Sequence, residues 1–176
     1  MLMTMPDNLK TRRERERLRQ SFRPSRIQLL FIGESPPASG RFFYSADSGL
    51  YRAMHAAFQI ADSLVGDDDF LTVFRSRGCY LIDLSPKPVD RLEPPLRRKM
   101  RKDGEKLLAR EIRRLQPEMI APVLRSIVRN VESAAAQADW RGQILQLPYP
   151  GRWSRHRDAF IQALVPVIRR LTVDES

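Results

Sequence analysis

The chain has 176 residues, a formal charge of +10 at pH 7 and an isoelectric point near 10.6. Its length suits one domain, and a hydrophobic fraction of 42% is enough for a real core. A basic surplus of this size favours a polyanionic partner, nucleic acid before a membrane surface, although arginine-rich proteins can be basic without such a partner. No apolar run reaches membrane-spanning length, and the basic start lacks the apolar core of a secretion signal.

Cysteine and histidine are scarce in this sequence. The single cysteine, Cys79, excludes an internal disulfide, and with only two histidines it leaves no credible zinc or iron–sulfur ligand set. We therefore expect an intracellular protein that works without a metal or another cofactor. The sequence neither implies nor excludes a homo-oligomer, and a monomer is the simpler expectation.

Residues 1–25 are polar and charged, and arginine alternates with glutamate from Thr11 to Gln20. A solvated helix and a mobile basic arm fit this pattern equally well, because no apolar stripe is evident that would dock it. The sequence therefore predicts an N-terminal basic arm or helix over residues 1–25, followed by a single domain over residues 26–176.

The first element of that domain is a short apolar strand, residues 27–32, which stops at Gly33. Its lack of alternation is typical of a strand buried on both faces of a parallel sheet. Prolines and aromatic residues fill the loop over residues 34–44. A helix capped by Asp47 or Ser48 follows, with apolar residues at helical spacing as far as Leu64, and then a short helix over residues 70–75.

Strand and helix patterns alternate through the rest of the chain. Three further strands are predicted at residues 78–85, 119–123 and 142–147. Helices are predicted around residues 107–115, 124–137 and 155–171. The basic run at residues 97–102 can face phosphate or be merely solvated. This alternation predicts an α/β protein, a three-layer α/β/α sandwich with a four-stranded parallel sheet.

Three segments fall at the carboxyl ends of predicted strands, where ligands bind in open α/β sheets. The first is Gly33-Glu-Ser-Pro-Pro with Phe43, the second is Asp83, and the third is Leu147-Pro-Tyr-Pro-Gly. Asp83 is the one acid in an otherwise apolar strand, so a paired structural carboxylate and a site residue are both open readings.

These segments, in this order and spacing, resemble the uracil-DNA glycosylase superfamily over about residues 26–171. The closest match is its Gly-Glu-X-Pro-Gly branch, whose Gly-Arg-Pro-Phe phrase is similar to Gly40-Arg-Phe-Phe. The resemblance implies a glycosylase-like α/β fold, action on DNA and a place in the bacterial cytoplasm or nucleoid. It further implies hydrolysis of the bond between a damaged or deaminated base and its sugar.

The resemblance also implies roles for individual residues. Glu34 would orient or activate the attacking water, perhaps with help from Asp83, which stands where the family reads the base edge. The backbone from Ser35 would line the pocket with Pro36, while Phe43 and Tyr44 would hold a base flipped out of the duplex. The predicted DNA-contacting residues are Arg41, Lys87, Tyr149, Gly151, Arg152, Trp153 and His156.

Three departures from the family pattern bear on activity. Asp83 replaces an asparagine, and an ionised aspartate accepts hydrogen bonds without donating any, so Asp83 either stays protonated or reads a base with an exocyclic amine, which suits an acceptor better than uracil. Leu147 replaces a histidine that helps the base to leave, a loss of about a hundredfold to a thousandfold in rate. The four cluster-binding cysteines of the Gly-Glu branch are missing.

Three functions therefore stay open at this point. The first is a DNA glycosylase, and the second is a catalytically inactive module of the same fold that binds nucleic acid or a nucleobase. The third is a small-nucleotide enzyme, for which the sequence lacks any glycine-rich phosphate loop.

Overall fold

The computed structural model describes residues 11–173. Within them the chain forms six α-helices, four strands and two short 3-10 turns. In chain order the elements are α1 (Arg12–Ser21), β1 (Leu29–Gly33), a turn at Phe43–Ser45, α2 (Gly49–Ala61), α3 (Phe70–Ser76), β2 (Cys79–Asp83), α4 (Pro94–Leu115), β3 (Met119–Pro122), a turn at Arg125–Ile127, α5 (Val128–Gln137), β4 (Gln143–Ile144) and α6 (Ser154–Ile168).

All four strands are parallel and lie in the order β2-β1-β3-β4. Every residue of β1 is buried, as expected for a central strand covered on both faces. Helix α2 packs against α6, and α4 packs against α5. The predicted α/β/α sandwich with a four-stranded parallel sheet is therefore confirmed.

The sheet order places a topological switch between β1 and β3. The connection from β1 leads to β2 on one side, whereas β3 continues to β4 on the other. Neighbouring strands whose connections diverge leave a crevice beyond their carboxyl ends, and this is where ligands bind in such sheets. Gly33 stands opposite Asp83 in the register, so the ends of β1 and β2 also meet there.

Two elements differ from the sequence prediction. Helix α4 begins at Pro94, well before the predicted start near residue 107, because Pro94 and Pro95 occupy its first turn, where proline is tolerated. The basic run at residues 97–102 is therefore helical. Strand β4 has only two residues, Gln143–Ile144, within the six predicted for that strand.

Helix α1 is docked against the domain. Leu18 and Phe22 are partly buried against the core, and the ring of Phe22 stacks on Tyr44 with centroids 5.7 Å apart. The expectation that no apolar residue would hold this segment is therefore wrong for residues 12–22. Residues 1–10 of the predicted arm lie outside the described part of the chain.

Candidate active site

A cavity of about 610 Å³ opens at the carboxyl ends of the central strands. Gly33, Glu34, Ser35 and Pro36 line it from the exit of β1, and Val123 and Leu124 from the exit of β3. Asp83 contributes from β2. The remaining lining residues come from β2 and the loop after it, from the loop before α2 and the first turns of α2 and α4, and from the loop before α6 and the first turn of α6. The cavity thus occupies the switch-point crevice of the sheet.

Glu34 is a buried carboxylate held by two arginines of α4. Its side chain is 7% exposed, and Oε1 accepts hydrogen bonds from Arg97 Nε at 2.8 Å and Arg101 Nε at 2.6 Å. Oε2 accepts a further hydrogen bond from Arg97. Only Arg97 of the two arginines lines the cavity. The carboxylate therefore sits between a cavity-facing guanidinium and one behind it.

The two arginines decide the charge of Glu34. Burial acts to raise the pKa of this carboxyl, but the hydrogen bonds from Arg97 and Arg101 outweigh it and hold the pKa below its ordinary value. A carboxylate offers about four lone-pair positions, of which three are taken here. Glu34 is thus an ionised group with one position left for a water molecule. It is a weak proton acceptor but a firmly placed one.

Asp83 lies at the end of β2, opposite Gly33. Its side chain is 9% exposed, and Oδ2 accepts a hydrogen bond from Arg19 Nη2 of α1 at 3.3 Å. Burial raises the pKa of Asp83, and the positive charges of Arg19 and Arg15 oppose that rise. Asp83 is therefore both a paired carboxylate and a lining residue of the cavity, so neither sequence reading excludes the other.

Phe43 and Tyr44 have different positions. Phe43 lines the cavity while packing edge-on against Tyr44 and Phe70, and it is only 4% exposed. Tyr44 lies outside the cavity: its hydroxyl donates to the carbonyl of Leu81 at 3.0 Å and accepts from the amide of Leu81 at 2.7 Å. Because β2 is the edge strand of the sheet, Tyr44 satisfies backbone groups that no strand pairs. This position does not support the expectation that Tyr44 holds a base, which stays a prediction.

Ser35 and Pro36, which the sequence analysis names as pocket residues, both line the cavity. The hydroxyl of Ser35 accepts a hydrogen bond from the amide of Val89 at 3.2 Å, and Asp90 accepts one from the amide of Ala38 at 3.0 Å. The loop after β2 therefore holds the loop after β1 in place. A loop held by hydrogen bonds in this way keeps its backbone groups oriented toward a ligand.

Aromatic and basic residues surround the mouth of the cavity. Tyr149 is 50% exposed and Trp153 is 63% exposed, and both belong to the loop that leads into α6. Gly151, Arg152 and Arg157 line the cavity from this loop and α6, and Arg52 lines it from α2. The first turns of α2 and α6 also face the cavity, and neither contains an acid. This mouth is suited to phosphate and to stacked bases.

Three predicted DNA-contacting residues lie away from this lining. Arg41 and Lys87 are exposed on neighbouring loops, and His156 is exposed in the first turn of α6. The ring of His156 instead covers Gly151, where an added Cβ would lie 2.9 Å from Nδ1. Their contact with DNA stays a prediction.

The sequence reading missed the arginines that organise the site. The sequence predicts either a phosphate-facing or a solvated role for the run that contains Arg97 and Arg101, and it places Arg19 in a segment that fits an arm or a helix equally well. A signal was present for the pair in α4, because residues at i and i+4 share a helix face once the two prolines are taken as the helix start. No comparable signal marked Arg19.

Two searches of the described residues gave negative results. Within residues 11–173, no three His, Cys, Asp or Glu side chains converge as a metal site would require. Cys79 is buried in β2, and burial raises the pKa of its thiol. None of the helices in this range combines the length and apolar character needed to cross a membrane.

Comparison with protein families identifies the fold at this site. The model of the uracil DNA glycosylase superfamily matches residues 20–171, which include every strand and the whole cavity. The chain belongs to the uracil DNA glycosylase superfamily. The comparison with curated proteins finds no match. As a superfamily member the protein has a DNA glycosylase-like fold, in a family that acts on DNA.

The superfamily assignment makes the position of Leu147 informative. This residue is 5% exposed and does not line the cavity, and its side chain has no polar group. The positive groups that do line the cavity are Arg52, Arg97, Arg152 and Arg157. Any charge that develops on a departing base would have to be stabilised by these arginines.

Proposed function

We propose that the protein is a DNA glycosylase that hydrolyses the bond between a damaged or deaminated base and its deoxyribose. The observation that carries this proposal is the ionised, firmly held Glu34 in a switch-point cavity of a superfamily member. Cleavage of such a bond passes through a transition state with positive charge on the sugar, which a fixed carboxylate stabilises.

The chemistry assigned to Glu34 follows from its hydrogen bonds. With its pKa lowered, this carboxylate is better suited to stabilise positive charge and orient a water molecule than to remove a proton early in the reaction. The water would occupy the one remaining lone-pair position on Oε2 and attack the anomeric carbon of the sugar. Water enters, the base leaves with the bonding electrons, and an abasic site remains in the DNA.

A flipped nucleotide would enter past the aromatic and basic mouth. Tyr149 and Trp153 offer rings to the neighbouring bases, and Arg52, Arg152 and Arg157 offer charge to the phosphates. The base would lie against Phe43, with its hydrogen-bonding edge toward Asp83. We propose DNA as the partner on these grounds.

A binding module without turnover is the second candidate. It is favoured by the same ion pairs, because Glu34 is occupied by two arginines and Leu147 takes no part in the cavity. In that case the cavity would hold an extruded or single-stranded base by stacking and phosphate contacts alone.

An excision assay separates these two functions. End-labelled duplexes, each with one uracil, hypoxanthine, xanthine or oxidised base, are incubated with the protein and then treated with alkali, which breaks DNA at abasic sites. For the wild type we expect strand breaks with at least one lesion, and for Glu34→Gln a loss of about a hundredfold or more in rate with DNA binding retained.

Arg98→Gln is the matched control, because Arg98 is exposed on the same turn of α4 and lies outside the cavity. This variant is expected to cleave like the wild type. Equal cleavage by the wild type and by Glu34→Gln would contradict the role given to Glu34. Silence across the panel with binding retained would favour the binding module.

A further inference from the structure

Helix α1 reaches the candidate base-reading position through Arg19, one residue before the stretch that the family model matches. The match begins at residue 20, whereas Arg19 belongs to the preceding stretch. Its Nη2 donates to Asp83 Oδ2 at 3.3 Å and its Nη1 to Glu16 at 2.9 Å. The guanidinium also lies 5.7 Å from the centroid of the Phe42 ring. Arg19 therefore ties helix α1 to the candidate base-reading residue.

The two oxygens of Asp83 face different surroundings. Oδ2 is turned to Arg19, which lines a second cavity of about 480 Å³ between α1 and α4 and not the larger one. Oδ1 lies over Gly33, where an added Cβ would be only 2.5 Å away. Among the hydrogen bonds found in residues 11–173, none reaches Oδ1. Oδ2 is thus held by Arg19, which does not line the larger cavity, while Oδ1 lies over Gly33, which does.

An oxygen presented in this way discriminates between bases. An ionised carboxylate only accepts hydrogen bonds, so it pairs with an N–H on the base edge. A carbonyl oxygen at the same place would leave two acceptors facing each other, both removed from water. Sites built around one buried hydrogen bond reject an analogue that lacks it by large factors.

We infer that Arg19 is a positioning residue that sets base preference. It holds Asp83 as an ionised acceptor, so that the cavity takes a base with an exocyclic amine in preference to the same base with a carbonyl at that position. This inference rests on the proposed function, because it specifies the ligand of the same cavity. Helix α1 thereby contributes to the choice of base.

Arg19 is the contact on which this charge depends. Other charged or titratable groups around Asp83 are Arg15 and Glu16 of α1, Tyr44 of the first 3-10 turn, Glu34 with Arg97 across the larger cavity, and Arg110, Glu111 and Arg114 of α4 across the smaller one. Burial favours the neutral acid, and Arg19 opposes it most strongly. Without Arg19 the protonated form gains, and its O–H can donate to a carbonyl.

A matched pair of lesions tests the inference. Two duplexes differ only in one base: 5-hydroxycytosine has an amine at C4 and an unprotonated N3, whereas 5-hydroxyuracil has a carbonyl at C4 and an N–H at N3. Single-turnover cleavage rates and Kd values are measured for both duplexes with wild type, Arg19→Gln, Arg19→Lys, Asp83→Asn and Arg17→Gln. Arg17 is exposed on the same helix and lines neither cavity. Arg17→Gln therefore removes the same charge at a position that takes no part in the site.

The wild type and Arg17→Gln are expected to prefer 5-hydroxycytosine. In Arg19→Gln this preference should fall several-fold at a pH where the wild type still shows it, because the protonated form of Asp83 gains when the positive charge is removed. Arg19→Lys, which keeps the charge, should retain most of it. Asp83→Asn should lose it whatever residue stands at position 19, because an amide both donates and accepts.

The pH profile gives a readout that simple loss of packing would not move. The preference of the wild type should weaken as pH falls and Asp83 takes up a proton, and in Arg19→Gln the same weakening should occur at higher pH. An unchanged preference in Arg19→Gln, or a wild-type preference for 5-hydroxyuracil, would overturn the inference. If neither duplex is cleaved, the result contradicts the proposed function but not the inference. The inference is then decided by the ratio of the Kd values for the two duplexes.

Discussion

Glu34 shows how a single residue can be fixed in both position and charge. Its carboxylate is buried between Arg97 and Arg101, and no sequence pattern around residue 34 contains either partner. The family pattern indicated a functional carboxylate. The structure adds that this carboxylate is a stabilising charge with little capacity left to accept further hydrogen bonds.

The first residue-scale prediction concerns the stability of Glu34→Gln. At pH 7 this variant should lose about 2–3 kcal/mol of unfolding free energy, because it leaves two partly buried guanidinium groups without their counter-charge. The pKa of Glu34 is lowered in the folded state, so its stabilising effect is complete above its ordinary value and is lost as pH falls through the lowered one.

Urea unfolding followed at pH 7 and below pH 4 checks this prediction. The difference between wild type and Glu34→Gln should shrink at the lower pH, because the wild type then loses the same charge. A difference that grows on acidification would contradict the ion-pair account.

Tyr44→Phe gives the second residue-scale prediction. Removing the hydroxyl leaves the amide and carbonyl of Leu81 unpaired at the edge strand, at a cost of about 2–3 kcal/mol. DNA affinity should not change, because Tyr44 lies outside the cavity. Thermal unfolding and fluorescence anisotropy measure the two effects. Tyr51→Phe, in the same aromatic cluster, is the control for loss of a tyrosine hydroxyl.

At the scale of elements, the close approach of α4 to the end of β2 positions the site. Gly104 of α4 faces the backbone carbonyl of Leu84, which leaves no room for a side chain. This contact keeps the first turns of α4, and with them Arg97 and Arg101, beside the exit of β1. It explains why a glycine stands inside a long helix, where it is otherwise unfavourable by about 1 kcal/mol relative to alanine.

Gly104→Ala is therefore predicted to destabilise the protein by about 1–3 kcal/mol, although alanine favours an isolated helix. Gly49→Ala is the matched control, because a Cβ at Gly49 meets nothing closer than 3.9 Å. Denaturant unfolding of both variants tests the sign of the effect. A Gly104→Ala variant more stable than the wild type would show that α4 can move away from Leu84 without penalty.

Elements also show how far the sequence could be interpreted. Continuous apolar runs located β1 and β2, and helical spacing located α2, because burial on both sheet faces or along one helix stripe leaves a local pattern. The start of α4 was missed because its first turns carry charged residues that pack on Glu34, a contact 63 residues apart in sequence. The family motifs located the cavity at the strand ends, but the Arg19–Asp83 pair spans 64 residues and has no local signature.

At the scale of the whole molecule, the charge of +10 is partly concentrated around one opening. Arg52, Arg152 and Arg157 line the mouth of the cavity together with the first turns of α2 and α6. A basic rim around a concave site attracts nucleic acid and orients it, whereas scattered charge only raises non-specific affinity.

The salt dependence of DNA affinity tests this distribution. Each of Arg52→Gln, Arg152→Gln and Arg157→Gln should flatten the slope of log K against log salt by about 0.9, one phosphate contact each on duplex DNA. Arg129→Gln, exposed on α5 in the other helix layer, should leave the slope as in the wild type. If all four substitutions changed the salt slope equally, the cavity mouth would not be the DNA-binding surface.

Direct detection of a released base tests the central claim. Wild-type protein is incubated with duplexes that carry one lesion each, and the free base and the abasic strand are both quantified by mass spectrometry. We expect equal amounts of free base and abasic strand from at least one lesion, formed at least about a hundredfold more slowly by Glu34→Gln. Intact DNA throughout, recovered in complexes with the wild type, would contradict base excision and leave the cavity a binding site.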